Sequence, residues 1–403
     1  MQEEGIAMYD FEDILCRKEN GSKKWNEDYI NRRFPGFKTP FYPLFIADMD
    51  YKLPSEITNN FMGFIQKGDF GYFDVLEKFN ESIVNWYKKI NDIEIDKNII
   101  LPGIGTLASM NLVVKTLLNK NDSVLIFTPV YGPFRDIVEN NELNLIKQPL
   151  KNIKNRYYID FDELESNIIK NDIKCVLMCN PHNPSGRVWD YDELNKLVYI
   201  CKKYNVFLLS DEVHSDLILN DKKFISLINF EKDYENIIIS SSPNKTFNLA
   251  GVCGSYLLIK NKILHDKIKN AFLKNKLEIN RVGYEFLVSC YEYGHNWVDS
   301  LRENIKENLK IVELLLDNEG IEVMTPESGY LVWVKLNKVN DSLEFVEKLA
   351  RESGVLLESG TRFVDSENGY IRINIATSKA IIEKSMRELN KFYDEFIKKE
   401  AVT

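Results

Sequence analysis

A lysine that follows an apolar run and a hydroxyl-rich turn has the clearest chemical potential in this sequence. Lys245 lies in SSPNKTFN, directly after the apolar segment NIIIS. Its amine is suited to Schiff-base chemistry with an aldehyde cofactor, and the neighbouring hydroxyl groups are suited to a phosphate. Since a lysine in a loop is more commonly a solvated charge, the prediction of a catalytic role depends on what surrounds Lys245.

Three further side chains follow other apolar runs in the same way. Asp211 comes directly after VFLLS, Asn183 lies in NPHNPSG after CVLMC, and Tyr131 lies in TPVYGPF after VLIF. A buried aspartate is costly unless it is paired, so Asp211 would cap a helix, bond a structural arginine, or keep a cofactor's pyridine nitrogen protonated. Asn183 offers an amide to a ring hydroxyl of that cofactor. Tyr131 would stack on a flat ring or pack in the core.

Two other segments could bind anionic groups. PGIGTLASM opens a predicted helix, so the backbone amides of Ile104 and Gly105 would lie at a helix N-terminus, where free N–H groups and the helix dipole favour a phosphate. Arg372 alternates with isoleucines in YIRINIA. Its guanidinium would face solvent from an edge strand, or face the crevice and hold a substrate carboxylate at two points.

The elements that position these residues form an α/β pattern. Short apolar runs alternate with amphipathic helical segments between about residues 100 and 260, which predicts a mostly parallel sheet covered by helices on both faces. The runs are Val124 to Phe127, Cys175 to Cys179, Val206 to Ser210 and Asn236 to Ser240. Ligands of such sheets lie at the carboxyl ends of the strands, so Tyr131, Asn183, Asp211 and Lys245 are expected around one crevice.

The C-terminal part predicts a smaller α+β layer. A long amphipathic helix begins at HNWVD, and Gly320 is a suitable residue to end it. Strand-like segments follow at residues 328–336, 354–358 and 370–376, with helices at about 341–353 and 378–399. We therefore expect a large domain over residues 46–285 and a small domain built from residues 1–45 and 286–403.

Composition narrows the class of protein. The 403-residue chain has a net charge of -9, which disfavours nucleic acid as the main partner. No apolar stretch is long enough for a membrane span, and we expect a cytoplasmic protein. Cys175 and Cys179 are interpreted as core thiols on one strand face rather than metal ligands. With only four histidines and no ligand-spacing motif, no metal site is predicted.

Several motifs together resemble one superfamily. SSPNKTFN, NPHNPSGRVW, SDEVHSDL and GYIRINIAT occur in the order found in the fold-type I aminotransferase superfamily of pyridoxal 5'-phosphate (PLP) enzymes. Within that superfamily, PLFIADMDY, GDFGY, DEVH and NKTFNLAG resemble the MalY/PatB-type cystathionine β-lyases, which cleave carbon–sulfur bonds. The resemblance implies a fold with a large cofactor-binding domain and a smaller second domain.

The resemblance also implies roles for individual residues. Lys245 would carry PLP, Asp211 would meet the pyridine nitrogen, Asn183 the 3'-oxygen, Tyr131 the ring face, and Arg372 the carboxylate of a small amino-acid substrate. The phosphate would be held by Ile104, Gly105 and Ser242, with Tyr72 reaching it from the other subunit of a homodimer whose active site lies at the interface.

Two positions depart from the pattern of many aminotransferases. A tyrosine three residues after the aspartate is replaced by His214, which is expected to contact the cofactor, and an arginine eight residues after the lysine is replaced by Cys253. The predicted reaction is α,β-elimination of L-cystathionine or a related cysteine S-conjugate to thiol, pyruvate and ammonia. An aminotransferase and a PLP-binding regulatory protein with little activity remain as alternatives.

Overall fold

The computed structural model describes residues 9–400, so residues 1–8 and 401–403 of the expected small domain lie outside the described part. The helices of that part are α1 Glu27–Arg33, α2 Ser55–Gln66, α3 Glu77–Asn91, α4 Thr106–Leu117, α5 Pro133–Glu139, α6 Phe161–Lys170, α7 Tyr191–Tyr204, α8 Lys262–Lys274, α9 Arg281–Tyr293, α10 His295–Leu315, α11 Ser342–Ser353 and α12 Lys379–Glu400. The strands are β1 Tyr42–Pro43, β2 Ile100–Gly103, β3 Ser123–Thr128, β4 Val130–Tyr131, β5 Asn144–Pro149, β6 Lys151–Asn152, β7 Tyr157–Tyr158, β8 Ile173–Cys179, β9 Phe207–Asp211, β10 Ile237–Ser241, β11 Ser255–Leu258, β12 Ile321–Met324, β13 Leu331–Leu336, β14 Val355–Leu356, β15 Glu358–Ser359, β16 Phe363–Val364 and β17 Tyr370–Asn374.

The central sheet contains the four apolar runs predicted from the sequence. Its strand order is β2-β11-β10-β9-β8-β3-β5, and the five strands from β10 to β5 run parallel. Strand β11 runs antiparallel to both of its neighbours, β2 and β10. The expected α/β class with a mostly parallel sheet is therefore confirmed, and the carboxyl ends of β3, β8, β9 and β10 lie along one edge.

Burial on both faces explains why these strands read as continuous apolar runs. Alternate residues of β8 enter two separate cores: Val176 and Met178 belong to one, and Cys175, Leu177 and Cys179 belong to the other. The two cysteines thus share a strand face and are free, buried thiols, as expected. Among residues 9–400, no helix is both long and apolar enough to cross a membrane.

A second sheet carries Arg372. Its order is β12-β13-β17-β15, and every pairing in it is antiparallel. Because β17 lies between β13 and β15, Arg372 is not on an edge strand, and the solvent-facing alternative for its side chain is wrong. The N-terminal segment joins this part of the molecule through the parallel pair β1–β14. The exact division into large and small domains stays a prediction.

The expectation that Gly320 ends a helix was wrong. Helix α10 ends at Leu315, before the glycine. The chain turns instead at Asn318, whose side-chain oxygen accepts from the Gly320 amide at 3.1 Å. Gly320 is needed for close approach rather than for capping, since a Cβ at this position would lie 2.0 Å from the Tyr393 hydroxyl oxygen.

Gly354 follows α11 and lets the chain pass close to the segment before β1. Gly354 has φ +78, and a Cβ there would lie 2.4 Å from the Pro40 carbonyl oxygen. Gly354→Ala should therefore lower the free energy of unfolding by about 3 kcal/mol, because strain and a backbone clash add. Chemical denaturation measures this. The matched control is Gly21→Ala, where φ is +77 but no atom lies within 4 Å of the new Cβ, and about 1 kcal/mol is expected. Equal losses in both variants would contradict the predicted clash.

Candidate active site

The strand ends bring the predicted residues into one electrostatically connected crevice. The charge of Lys245 lowers the pKa values of Asp211 and His214. The charge of Arg372 lowers the pKa values of Lys245, His214 and Tyr131. Asn183 contacts Arg372 directly, since its side-chain oxygen accepts from Nη1 at 3.2 Å. Residues from β17 and from the ends of the parallel strands therefore meet in the same place.

Arg372 is buried with its hydrogen-bonding capacity only partly used. Besides the bond to Asn183, its Nη2 donates to the Phe45 carbonyl at 3.3 Å, and its Nε is buried without a hydrogen-bond partner among the described residues. The guanidinium carbon lies 5.0 Å from the ring centre of Phe363. Burial lowers its pKa from the ordinary value. Two long bonds to neutral oxygens and one idle donor suit a guanidinium that receives a carboxylate.

Lys245 has the environment of a reactive amine. Its Nζ donates to the Ala47 carbonyl at 3.0 Å. Burial, with the nearby charge of Arg372, lowers the pKa of Lys245 from 10.5 to about 8, while Asp48 and Asp211 partly oppose this shift. A lysine shifted in this direction has a larger neutral, nucleophilic fraction near neutral pH than a solvated lysine.

Asp211 and His214 are both buried at the end of β9. Burial raises the pKa of Asp211 to about 6, against a bond from the Val213 amide and the charge of Lys245. The Val213 amide donates to Oδ1 at 3.2 Å. Burial, with the charges of Lys245 and Arg372, lowers the pKa of His214 to about 3, so its imidazole is neutral at physiological pH.

Tyr131 lies at the rim of the crevice with 37% of its surface exposed. It pairs with Phe363 through the antiparallel strands β4 and β16. The same Phe363 ring packs against Arg372, so a short chain of contacts joins Tyr131 to the arginine. The core-aromatic alternative for Tyr131 is thus excluded, while stacking on a ring stays a prediction.

The groups expected to hold a phosphate surround the start of α4 and the turn after β10. Gly105 has φ +109, and its amide donates to the Ser255 hydroxyl at 2.8 Å. The Ile104 amide donates to Ser109 at 3.4 Å. The Ser242 hydroxyl donates to the Gly254 carbonyl at 2.6 Å and accepts from the amide of Asn244 at 3.1 Å. These groups already have partners within the chain, so their phosphate role stays a prediction.

Two of the remaining sequence-predicted positions lie on the surface. Tyr72 is fully exposed in the connection between α2 and α3. Cys253 is exposed and adopts a left-handed backbone conformation with φ 59. Neither residue is held in the crevice of its own chain by a described hydrogen bond to the residues named above.

The segment between β1 and α2 forms a wall of the crevice that the sequence did not assign. Phe45 and Ala47 accept from Arg372 and Lys245 through their backbone carbonyls, and Tyr330 also donates to the Ala47 carbonyl at 3.4 Å. Hydrogen bonds to backbone carbonyls cannot be predicted from the type of the residue that supplies them. The PLFIADMDY motif indicated that the segment matters, but it did not indicate these contacts.

The fold and the crevice agree with a family match. The model of aminotransferase class I and II matches residues 66–389, and the chain belongs to this family. It is 29% identical over 356 residues to the cystathionine beta-lyase PatB of Bacillus subtilis, covering 87% of this chain and 92% of PatB. It is 26% identical over 389 residues to the protein MalY of Escherichia coli, covering 95% of this chain and 98% of MalY.

A solved structure extends the comparison to three dimensions. The PLP-bound C-S lyase of Staphylococcus hominis superposes with a TM-score of 0.88 and 29% identity, covering 96% of this chain and 99% of that one. The resemblance to the fold-type I superfamily and to MalY/PatB-type proteins is thereby confirmed. Within residues 9–400, no group of three or more His, Cys, Asp or Glu side chains could hold a metal ion.

The lowered pKa of Lys245 can be measured directly. In the protein stripped of cofactor, the rate at which an amine-reactive reagent labels Lys245 should rise with pH around a midpoint of about 8, because the neutral amine reacts. Mass spectrometry of the labelled peptide gives the rate. Arg372→Met should move the midpoint up and Asp211→Asn should move it down, as each removes one charge that acts on Lys245. A midpoint near the ordinary 10.5 would refute the assigned environment.

Proposed function

We propose that this chain is a PLP-dependent carbon–sulfur β-lyase that cleaves L-cystathionine or related cysteine S-conjugates to thiol, pyruvate and ammonia. The observation that carries the proposal is the pair of cations, the half-buried Lys245 and the buried Arg372, that meet beside the buried Asp211. This arrangement supplies an amine, a carboxylate receptor and a buried acid. It occurs in a chain related to PatB and to a PLP-bound C-S lyase.

The residues present fit PLP. Asp211 is buried beside no described ion-pair partner and accepts a single described hydrogen bond, so a cationic pyridine nitrogen would relieve its desolvation. Asn183 turns its amide oxygen to Arg372, which leaves the amide nitrogen to donate to the 3'-oxygen. Tyr131 would cover the ring, and the neutral His214 would contact it.

The start of α4 and the turn after β10 are the proposed site of the phosphate. Helix α4 begins at Thr106 directly after Gly105, where a Cβ would meet open space. The amides of Ile104 and Gly105 and the Ser242 hydroxyl would hold the phosphate together with the positive end of the helix dipole. No guanidinium can come from position 253, because Cys253 stands there.

The residues of the chain would then carry out the elimination. When bound, PLP accepts the electron pair left on the substrate's α-carbon. Arg372 would bind the substrate carboxylate through its guanidinium, which orients the α C–H bond toward Lys245. The amine of Lys245 would remove the α-proton as general base, and the thiolate would leave from the β-carbon. One water would then hydrolyse the remaining three-carbon fragment to pyruvate and ammonia. A base with a pKa of about 8 is close to neutral pH, where general base catalysis is most efficient.

A homodimer with Tyr72 completing the partner's phosphate site is part of the proposal. The connection between α2 and α3 exposes several apolar side chains on one stretch, Phe70, Tyr72, Val75 and Leu76. Contiguous exposed apolar residues mark interaction surfaces.

We also propose the division into a large domain of residues 46–285 and a small domain of 1–45 and 286–403. A cytoplasmic location is proposed as well, and six unpaired cysteines favour it.

Two alternatives share the same site. An aminotransferase would use Lys245 and Arg372 identically but would return the proton to the cofactor instead of expelling a β-substituent, and the family match favours it as the second candidate. A PLP-binding regulatory protein would retain the site with little turnover. The complete set of Lys245, Asp211 and Arg372 argues against that reading.

Product analysis tests the lyase assignment. The holoenzyme supplied with L-cystathionine and no keto-acid acceptor should release thiol, pyruvate and ammonia in equal amounts, because elimination needs no second substrate. Enzyme-coupled pyruvate assays and thiol titration measure the products, with cysteine and bulkier S-conjugates run in parallel.

The controls for this assay separate chemistry from binding. Lys245→Ala should lose turnover by about 10³-fold or more and lose the absorbance of covalently held PLP, since the general base and the cofactor anchor are both gone. Strict dependence on an added keto acid would establish the aminotransferase instead. Normal turnover by Lys245→Ala would overturn the assigned role of the lysine.

Mixed dimers test the proposed contribution of Tyr72 across the interface. At limiting PLP, Tyr72→Ala and Lys245→Ala homodimers should each be inactive, and a mixed dimer holds one site with both native residues. Co-expression should restore about a quarter of wild-type activity, because half of randomly paired dimers are mixed and each has one complete site. Activity no higher than the mean of the two homodimers would show that Tyr72 does not act in the partner's site.

A further inference from the structure

A second cavity lies outside the crevice, at the hairpin formed by β6 and β7. It encloses about 350 Å³ and is bordered by Lys154, Arg156, Arg187, Val323, Met324 and Glu327. Sites for small molecules begin at about this size. None of the roles assigned above uses these residues.

The cavity is separated from the active-site crevice by a tightly packed strap. The Gly186 carbonyl accepts from the amides of Glu327 at 3.0 Å and Ser328 at 2.9 Å. A Cβ on Gly186 would lie 2.5 Å from the Pro326 side chain. Asn183 and His214 border a small gap on the other side of this strap. The second cavity is therefore a distinct space and not an extension of the crevice.

Charge around the cavity is balanced except for one lysine. Arg156, Arg187 and Lys222 form ion pairs with the carboxylates of Asp190 and Glu327, and Glu193 bonds to Arg187 as well. These three cations and three anions compensate one another. Lys154 takes part in no described hydrogen bond or ion pair, so its ammonium group adds an uncompensated positive charge at the rim.

The position of Lys154 is fixed by its backbone. Lys154 and Asn155 have φ values of 50 and 57, and Ile153 and Arg156 exchange backbone hydrogen bonds of 2.9 and 3.2 Å. Two positive φ values between paired residues define the tight type I′ hairpin turn. The turn places Lys154 next to Arg156, whose Nε is buried without a hydrogen-bond partner among residues 9–400.

Apolar residues also border the cavity. Met324 is buried and Val323 is half-buried in β12, and both belong to its lining. A ligand that suits this lining carries an anionic group for Lys154 and the Arg156 guanidinium, and a short hydrocarbon part for the apolar residues.

We propose that this cavity binds a small organic acid, a molecule of a few carbons that bears one or two carboxylates. One carboxylate contacts the Lys154 ammonium and the Arg156 guanidinium, and the carbon chain lies against Val323 and Met324. The site is separate from the substrate-binding arginine of the crevice and does not depend on which reaction the enzyme catalyses.

Calorimetry with succinate as the probe tests the site in the PLP-loaded protein. Because Arg372 in the crevice also receives carboxylates, the titration is made in the Arg372→Met background. Saturable binding of one succinate per chain is expected, and adding Lys154→Ala should weaken it about five-fold, through loss of an ion pair at the exposed rim. The matched control, Lys262→Ala, removes the same charge from an exposed site on α8 and should leave the affinity unchanged.

The possible outcomes decide the proposal. Absence of saturable binding, or equal affinity in the Lys154→Ala protein, overturns the site. Equal weakening by Lys262→Ala overturns it too, since the effect would then be one of overall charge. Inorganic phosphate is the second probe, and phosphate binding as tight as that of succinate overturns the organic-acid assignment because the apolar residues would contribute nothing.

Discussion

The crevice holds two cations that are largely shielded from water and have no ion pair to a fixed carboxylate. Arg372 is buried and Lys245 is half-buried, and in the described part of the chain neither forms an ion pair. Their partners are neutral oxygens: the carbonyls of Phe45 and Ala47 and the side-chain amide of Asn183. Carbonyl dipoles offset part of the desolvation cost, yet they leave Arg372 free to receive a carboxylate and the Lys245 amine free to react. A fixed aspartate or glutamate in the same position would compete with that ligand.

This solution requires the segment that supplies the carbonyls to be rigid. The Asn374 side-chain Nδ2 donates to the carbonyls of Ile46 at 2.6 Å and Asp48 at 2.7 Å, so β17 itself anchors the segment beside its own arginine. A fully buried ion pair between Lys24 and Asp50, at 2.8 Å, fixes the other end. Removing one partner of such a pair leaves an uncompensated buried charge. The first part of the chain is thus a structural component of the crevice.

Features that are encoded by neighbouring residues could be predicted from the sequence, whereas contacts between distant residues could not. The apolar runs that form β3, β8, β9 and β10 are continuous because both faces of these strands are buried. The polar residues that directly follow the runs identify Asn183 and Asp211 as candidates without any tertiary information. Strand β1 is only two residues long and pairs with β14, more than three hundred positions away. No local periodicity encodes such a pair, so the backbone carbonyls of Phe45 and Ala47 that follow β1 were not predicted as part of the crevice.

Gly320 is a second case in which a distant contact, which the local sequence does not reveal, determines the role of a residue. Its residue type is correct for a helix stop, but helix α10 ends at Leu315, and the glycine is instead required by the ring of Tyr393 on α12. A glycine reports that a side chain is not tolerated. It does not report whether the cause is a backbone conformation or a distant neighbour.

In the proposed mechanism, the shared electrostatics of the crevice would link substrate binding at Arg372 to the base strength of Lys245. The positive charge of Arg372 is one of the causes that lower the pKa of Lys245 to about 8, and burial is the larger one. A carboxylate bound to Arg372 would cancel that charge, so the same contact that orients a substrate would raise the basicity of the lysine. The increase would be largest with the substrate in place, when its α-proton must be removed. A neutral ligand, which leaves Arg372 uncompensated, would gain neither the orientation nor the stronger base.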